Sequence, residues 1–298
     1  MDFRGVWTAL VTPFDKKGEI DWSSLEQLLD IQQKAKVTGV VVTATTGEAP
    51  TLSLEEKIKI VKFSREHLSS DIRVMAGSGG NSTSSSVEVS MKLEQAGAEC
   101  LLVVTPYYNK PGTEGIIAHF KRISSAVKVP LCLYHVPGRT GVRLSAESIA
   151  RICEVDRVEA VKEASGDISL FSAARLECMK LNKRIAFLSG DDFTYLASLS
   201  VGGDGCISVV SNVYPKAMVD MSECYFNENN KEAIRYNDIL YPVAVAMFCE
   251  TNPTPVKAAL ASRGLILNTL REPLVPVSQV HYQSIEKICQ QADIKLKA

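Results

Sequence analysis

One lysine of the sequence lies inside an apolar stretch, where its amine could act as a nucleophile. Lys162 follows Ala160 and Val161 in the segment VEAVKEASGD, a pattern that predicts a buried strand. Because burial disfavours the charged ammonium, a lysine in this position can present the neutral amine that condenses with a ketone. The alternative is a structural lysine paired with an acid, but strand alternation turns the neighbouring Glu163 to the opposite face. Position alone leaves both interpretations open.

Polar residues also follow other predicted strands. Arg139 comes after a Pro-Gly turn in YHVPGRTG, and its planar guanidinium suits a substrate carboxylate, although a surface ion pair explains it equally well. Tyr134, at the end of the same strand, could pass protons to and from an imine, whereas a core tyrosine is the commoner role. Thr45 and Thr46 offer hydroxyl and backbone N–H groups to a carboxylate, or else they cap a helix.

Other motifs are better explained by structure than by chemistry. The loop GSGGNST at 77–83 lacks the spacing of known phosphate-binding loops. Asp191 and Asp192 precede a helix, so we expect them to cap it rather than to bind a metal. We expect no metal site, because the histidines are far apart and show no metal-ligand spacing. They are His67, His119, His135 and His281.

Short apolar segments alternate with amphipathic helical segments through most of the chain. Most of the short segments are almost continuously apolar, which is typical of parallel strands that are buried on both faces. Eight strand-helix units in about 225 residues predict an α/β fold that closes as a (β/α)8 TIM barrel, with an open doubly wound sheet as the alternative. The predicted strands are 6–11, 39–43, 73–76, 100–105, 131–135, 158–162, 185–189 and 205–210.

After Asn227 the pattern is helical only, with predicted helices at roughly 231–248, 256–263 and 281–292. These segments cannot extend the barrel. The prediction is therefore a barrel of residues 1–227 followed by a C-terminal helical extension of residues 228–298. The extension would pack on the barrel or form oligomer contacts.

The composition indicates a small-molecule substrate. Lys and Arg number 33 against 34 Asp and Glu, a net charge of -1, so nothing points to nucleic acid or a membrane surface. No apolar run approaches the roughly 20 residues of a membrane helix, and MDFRGVWTAL lacks the pattern of a signal peptide. The eight cysteines contain no CxxC pair and predict reduced, mostly buried thiols in a cytoplasmic protein.

Taken together, the strand-end motifs resemble those of the dihydrodipicolinate synthase family, within the pyruvate aldolases related to N-acetylneuraminate lyase. The motifs are TTGE, TPYYNKP, YHVPGRTG, VKEASGD and SGDD, and they follow one strand each, in order. The resemblance extends from GVWTALVTPF near the start to NPTPVKAAL near the end. A single motif of this kind would be weak, whereas five in register are specific.

The resemblance implies a reaction and a role for each site residue. The reaction is an aldol condensation of pyruvate with L-aspartate semialdehyde, followed by ring closure to 4-hydroxy-tetrahydrodipicolinate for diaminopimelate and lysine biosynthesis. It implies no cofactor and no metal, because pyruvate is held as a Schiff base on Lys162. The implied proton carriers are Tyr134, Thr45 and Tyr108, with Tyr108 reaching in from a neighbouring subunit of a tight dimer, within a tetramer. The implied substrate contacts are Thr46 and the backbone of Ile207 for pyruvate, Arg139 for the carboxylate of the semialdehyde, and Gly190.

Two other functions stay open. One is another pyruvate-dependent lyase or aldolase of the superfamily, acting on N-acetylneuraminate or a 2-keto-3-deoxy sugar acid. The relay tyrosine Tyr108 and the cation Arg139 favour the synthase over these enzymes. The other is a non-catalytic paralogue that binds a keto acid, which is disfavoured because all the reacting side chains are present.

Some positions depart from the family pattern. Ala44 replaces a glycine before TTGE, and His135 replaces an asparagine after the tyrosine, where it is expected to alter hydrogen bonds around the site. In the cleft where family members bind lysine as an inhibitor, Asn81 and Tyr107 match, but Ser85 stands where inhibited members carry an acid. We therefore expect weak or absent inhibition by lysine. The other positions that differ there are Ala49, Pro50, Leu54 and Lys57.

Overall fold

Eight parallel strands close into a barrel in the computed structural model, which describes residues 1–297. Each strand pairs with its neighbours in sequence, and the last strand returns to pair with the first. The predicted (β/α)8 TIM barrel is confirmed, and the open doubly wound sheet is excluded. The strands are β1 Gly5–Ala9, β2 Gly39–Val42, β3 Arg73–Gly77, β4 Cys100–Val104, β5 Leu131–His135, β6 Val158–Glu163, β7 Ala186–Ser189 and β8 Gly205–Ser208.

Helices surround the barrel, and several begin at a capping residue that the sequence makes visible. Ser53 accepts a hydrogen bond from the N–H of Glu56, whose carboxylate accepts one from the N–H of Ser53, so a helix starts at the next residue. The helices of this part of the chain are α1 Trp22–Ala35, α2 Leu54–His67, α3 Thr83–Gln95, α4 Thr113–Ser124, α5 Pro137–Thr140, α6 Ala146–Cys153, α7 Ile168–Cys178, α8 Tyr195–Ser200 and α9 Pro215–Phe226.

Inward-facing side chains fill the barrel. Trp7 is fully buried, and its indole N–H donates to the carbonyl oxygen of Phe3 at 3.0 Å, near the end where the strands begin. Gly39 makes room for this ring, since a Cβ there would lie 2.5 Å from it. The core at this end is therefore closed by aromatic packing. The polar strand-end motifs lie at the other end, where barrel enzymes place their active sites.

Four predicted strands, 6–11, 39–43, 100–105 and 205–210, extend beyond the observed strand ends, and two of them have a local reason for ending early. Thr43 has a φ of +52°, a left-handed conformation, so β2 ends one residue before it. At the end of β8, the carboxylate of Asp192 accepts hydrogen bonds from the N–H groups of Val209 and Val210. Those donors are therefore unavailable for strand pairing, and a 3-10 helix, Val210–Asn212, follows instead.

The C-terminal part of the chain is helical and is tied to the barrel by a buried ion pair. Lys257 donates to the carboxylate of Glu48 in the loop after β2 and to the carbonyl oxygen of Thr269 at 2.9 Å, and both charged side chains are fully buried. Burial lowers the pKa of Lys257 to about 8. We propose that residues 228–298 form an extension of the barrel; Ala298 lies outside the described residues. Its helices are α10 Asn230–Ala246, α11 Thr254–Ser262 and α12 Gln279–Lys297.

Lys257→Met should lower the free energy of unfolding by about 3–5 kcal/mol, because the carboxylate of Glu48 is left buried without its cation. The double variant Glu48→Gln/Lys257→Met should be more stable than this single variant, since no buried charge remains. Urea unfolding at one protein concentration measures all three proteins. The control Lys180→Met removes an exposed pair with Glu177 and should cost less than about 1 kcal/mol. A Lys257→Met variant no less stable than this control would contradict the prediction.

Candidate active site

The amine of Lys162 lies inside the barrel, at the carboxyl end of β6. Its side chain is 6% exposed and shares the inner face of the strand with Ala160. The Nζ atom lies 4.2 Å from the ring centroid of Tyr134, which is its partner in the register of β5 and β6. The structure therefore places the predicted nucleophile beside the predicted proton carrier.

Glu163 points away from Lys162, as strand alternation predicts. It pairs with His135 on the outer side of the barrel, with 3.0 Å between Nδ1 and Oε1. The N–H of Leu144 donates to His135 Nε2 at 3.2 Å, so the ring proton lies on Nδ1 and is donated to the carboxylate. Ser165 N–H donates to the same carboxylate oxygen at 3.0 Å. His135 therefore takes part in hydrogen bonds next to the site, with Glu163 and with the N–H of Leu144.

Lys257 is a second buried lysine, which the sequence analysis did not identify. Its ammonium is fully buried and held by Glu48 and by the carbonyl oxygen of Thr269. A ketone could not reach it without breaking that ion pair. Lys162 is thus the better nucleophile of the two. The feature of the sequence that could have identified Lys257 is its position as a lone lysine within the apolar segment TPVKAAL of α11.

A cavity of about 520 Å³ opens at the carboxyl ends of β2 to β5. Thr45 from the end of β2 and Tyr134 and Arg139 from the end of β5 all line it, so residues predicted from two strand ends share one space. Tyr134 is 7% exposed and belongs both to the cavity wall and to the contact with Lys162. This volume suits a small metabolite such as a keto acid.

Thr46 and Arg139 are connected through a residue of the C-terminal extension. Asn252 donates from Nδ2 to Thr46 Oγ1 at 2.9 Å. Its backbone carbonyl oxygen accepts from Arg139 Nη2 at 3.1 Å. Arg139 lies on the short helix α5, and its side chain is otherwise exposed. Asn252 was not among the predicted site residues, although it belongs to the NPTP segment that carries the family resemblance.

Gly190 lies beside Lys162, whereas Ile207 lies in the barrel interior, and neither is among the residues that line the cavity. A Cβ on Gly190 would lie 3.0 Å from Cε of Lys162 and 2.4 Å from Cβ of Ala164, so any larger residue there would crowd the lysine. Ile207 is fully buried on the inner face of β8 and pairs with Trp7 of β1. Ala44, at the usual glycine position, is buried and does not require a left-handed backbone.

Tyr108 lies apart from these residues within its own chain. It is 89% exposed, has a φ of +71°, and is not among the residues that line the cavity, whereas Tyr107 is. The predicted contact of Tyr108 with a neighbouring subunit stays a prediction. Its exposure is what such a contact requires.

The capping role expected for Asp191 and Asp192 is wrong. Neither side chain bonds to the N–H groups of the short helix that follows them. Asp192 instead bonds to the neighbouring strand, where it accepts from the hydroxyl of Ser208 and from two backbone N–H groups after β8. Burial raises the pKa of Asp191 to about 6, with nearby Lys162 opposing the shift. Residues 1–297 contain no cluster of three or more His, Cys, Asp or Glu side chains suited to a metal ion.

The chain matches the model of the Dihydrodipicolinate synthetase family over residues 2–292. It is 41% identical over 288 residues to the 4-hydroxy-tetrahydrodipicolinate synthase of Protochlamydia amoebophila, covering 97% of this chain and 96% of the relative. With the Bacillus subtilis enzyme of the same name the identity is 40% over 280 residues, which cover 94% of this chain and 96% of the relative. The chain therefore belongs to this family of enzymes.

Solved structures agree. Dihydrodipicolinate synthase from Thermotoga maritima superposes with a TM-score of 0.96 at 40% identity, covering 99% of this chain and all of the other. A pyruvate complex of the chloride-inhibited enzyme from Acinetobacter baumannii gives 0.94 at 38% identity, with 98% and 99% of the two chains covered. A monomeric dihydrodipicolinate synthase variant gives 0.95 at 41%, with 98% and 97% covered. No helix within residues 1–297 has the length and apolar character needed to span a membrane.

The raised pKa of Asp191 predicts a pH-dependent stability. Between about pH 4 and 6 the folded protein keeps a proton that the unfolded chain has released. The stability from this group is complete below about pH 4 and is lost as the pH rises through about 6. From pH 4 to pH 7, the native protein should therefore lose about 2–3 kcal/mol of unfolding free energy relative to Asp191→Asn.

Urea unfolding of both proteins at several pH values measures this difference, and the effects of groups that do not interact with Asp191 cancel in the subtraction. The control is Asp71→Asn, at an exposed position, whose difference from the native protein should not change with pH. A flat difference for Asp191→Asn would show that burial of its carboxyl does not shift the titration.

Proposed function

We propose that this chain catalyses the 4-hydroxy-tetrahydrodipicolinate synthase reaction, the condensation of pyruvate with L-aspartate semialdehyde in diaminopimelate and lysine biosynthesis. Curated relatives that match nearly the whole chain carry this name. The single observation that carries the proposal is the contact of the buried Lys162 amine with the ring of Tyr134, 4.2 Å from its centroid.

Lys162 attacks the ketone carbon of pyruvate, and loss of water leaves an iminium. The positive nitrogen accepts the electrons released when a methyl proton is removed, so the enamine forms with the protein's own amine as electron sink. The enamine carbon then adds to the aldehyde of the second substrate. The amino group of that substrate displaces Lys162 from the imine carbon, which closes the ring and frees the lysine. We propose that this covalent chemistry needs no cofactor and no metal.

Tyr134 is the proton donor and acceptor for these steps. It lies in contact with Lys162 and on the wall of the cavity, where Thr45 is also found. A chain of hydroxyls from Tyr134 through Thr45 to Tyr108 of a neighbouring subunit would carry protons to solvent. The 89% exposure of Tyr108 supports a tight dimer as the working unit, within a tetramer.

Different residues bind the carboxylates of the two substrates. Thr46 and the backbone of Ile207 contact pyruvate, with Gly190 leaving room beside Lys162. Arg139, exposed at the mouth, binds the carboxylate of the semialdehyde with its planar fork. A cation at the mouth favours an acidic aldehyde over a neutral polyol. The eight cysteines are all free, which supports a reducing compartment such as the cytoplasm.

Borohydride reduction in the presence of pyruvate should add one reduced pyruvyl group to Lys162, and peptide mass mapping locates it. Lys162→Ala should abolish the labelling and lower the activity at least about 1000-fold. The matched control is Lys57→Ala, which removes the lysine of the cavity wall and should keep the label. Labelling of Lys57 or Lys257 in place of Lys162 would overturn the proposed mechanism.

Assays of the native protein with different aldehydes distinguish the possible second substrates. With pyruvate present, L-aspartate semialdehyde should be consumed, whereas N-acetylmannosamine and glyceraldehyde should not. Consumption of either sugar with a label at Lys162 would instead indicate another aldolase of the superfamily. A label without turnover of any aldehyde would indicate a keto-acid-binding paralogue.

Lysine should inhibit this enzyme weakly or not at all. The cavity wall includes Asn81 and Tyr107, but Ser85 offers no charge to the ammonium of lysine. We therefore expect half-maximal inhibition above about 1 mM lysine, which corresponds to less than about 4 kcal/mol of binding. Initial rates at increasing lysine measure it. Ser85→Glu should strengthen inhibition, and sub-millimolar inhibition of the native enzyme would disprove the expectation.

A further inference from the structure

Asn252, in the loop between α10 and α11, contacts two of the proposed substrate-binding residues at once. Its side-chain Nδ2 donates to Thr46 Oγ1 at 2.9 Å, and its backbone carbonyl oxygen accepts from Arg139 Nη2 at 3.1 Å. Thr46 belongs to the loop after β2 and Arg139 to the helix after β5. Asn252 thus connects groups that the barrel itself holds on separate strand ends.

The amide of Asn252 determines which way the Thr46 hydroxyl is used. A hydroxyl has one proton to donate and accepts through its oxygen, whereas an amide nitrogen only donates. Thr46 Oγ1 is therefore the acceptor in this bond, and its own proton is free for another partner. Because Thr46 is 3% exposed, a carboxylate that enters the site is a suitable acceptor for that proton.

The backbone carbonyl of Asn252 restrains the side chain of Arg139. A guanidinium has five N–H donors in a fixed plane. The bond to the Asn252 carbonyl uses one of them and limits the rotation of an otherwise exposed side chain, leaving the others for a substrate carboxylate. Fixing the side chain before binding lowers the entropy lost when the substrate arrives.

The Oδ1 atom of Asn252 indicates that this side chain does more than stabilise the fold. The side chain is 5% exposed, and Oδ1 is buried without a hydrogen-bond partner among the described residues. An unsatisfied buried oxygen destabilises the fold. An amide retained here at that cost is better explained by the proton it leaves free on Thr46.

We propose that Asn252 is a positioning residue for both substrates, a role that rests on the proposed function. Its amide directs the Thr46 hydroxyl proton toward the carboxylate of pyruvate. Its backbone carbonyl holds the Arg139 guanidinium in place for the carboxylate of the semialdehyde. The C-terminal extension thereby takes part in substrate binding through a residue that touches neither substrate.

Asn252→Ala should raise the half-saturating pyruvate concentration, measured by borohydride labelling of Lys162, by about tenfold, because the Thr46 proton is no longer directed. The KM for the semialdehyde should rise less, since the backbone contact to Arg139 remains, and kcat should change by less than about threefold. The melting temperature should stay within about 4 °C of the native value, because an unsatisfied oxygen is removed together with one hydrogen bond.

Asn252→Asp, of almost unchanged volume, should raise the pyruvate requirement further than Asn252→Ala. Its carboxylate accepts the Thr46 proton and also repels the substrate carboxylate. The control is Asn268→Ala, which removes another amide with a buried unpartnered oxygen, at a position that bonds to neither Thr46 nor Arg139. It should leave pyruvate binding unchanged.

A double-mutant cycle with Thr46→Val tests whether Asn252 acts through Thr46. In that background Asn252→Ala should change the half-saturating pyruvate concentration by less than about twofold, because the hydroxyl it directs is gone. An equal effect in both backgrounds, or no effect in the native background, would overturn the positioning role. If native protein takes no label at Lys162, the proposed function itself fails, so the two failures are distinguishable.

Discussion

Alternation along β5 and β6 decides which chemical groups meet inside the barrel. In the register of these strands, Tyr134 is opposite Lys162 and His135 is opposite Glu163. The first pair faces inward and the second outward. The acid nearest to the lysine in sequence is therefore engaged by a histidine on the other side of the sheet. A shift of β6 by one residue would turn Lys162 outward and Glu163 inward, and the interior would be left without an amine.

The second constraint comes from outside the barrel. The loop after β2 contains two non-glycine residues with left-handed backbones, Thr43 and Glu48, at φ of +52° and +56°. Such conformations are costly and persist only where the surroundings hold them. The C-terminal extension holds one of them directly, through the bond of Lys257 to Glu48, and contacts the loop between them through the bond of Asn252 to Thr46. The geometry of the proposed pyruvate site therefore depends on both the barrel and the extension.

Sequence patterns were informative where the governing interaction is local. The eight strands follow from short apolar runs, and the inward position of Lys162 follows from the period of a strand. The contacts of Asn252 and Lys257 were not predicted because their partners are 206 and 209 residues away in the sequence. A local periodic pattern carries no information about such a contact. Asp192 was assigned a local cap for the same reason, since its actual partners lie after β8.

The exposure of Tyr108 has a consequence for the enzyme in dilute solution. On the proposed relay, a separated subunit keeps its lysine and its cavity but has no tyrosine from a neighbour to conduct protons. The rate per chain then depends on how many chains are associated, and it rises with total protein until association saturates. Expression level would in this way set not only the amount of enzyme but also the output of each molecule.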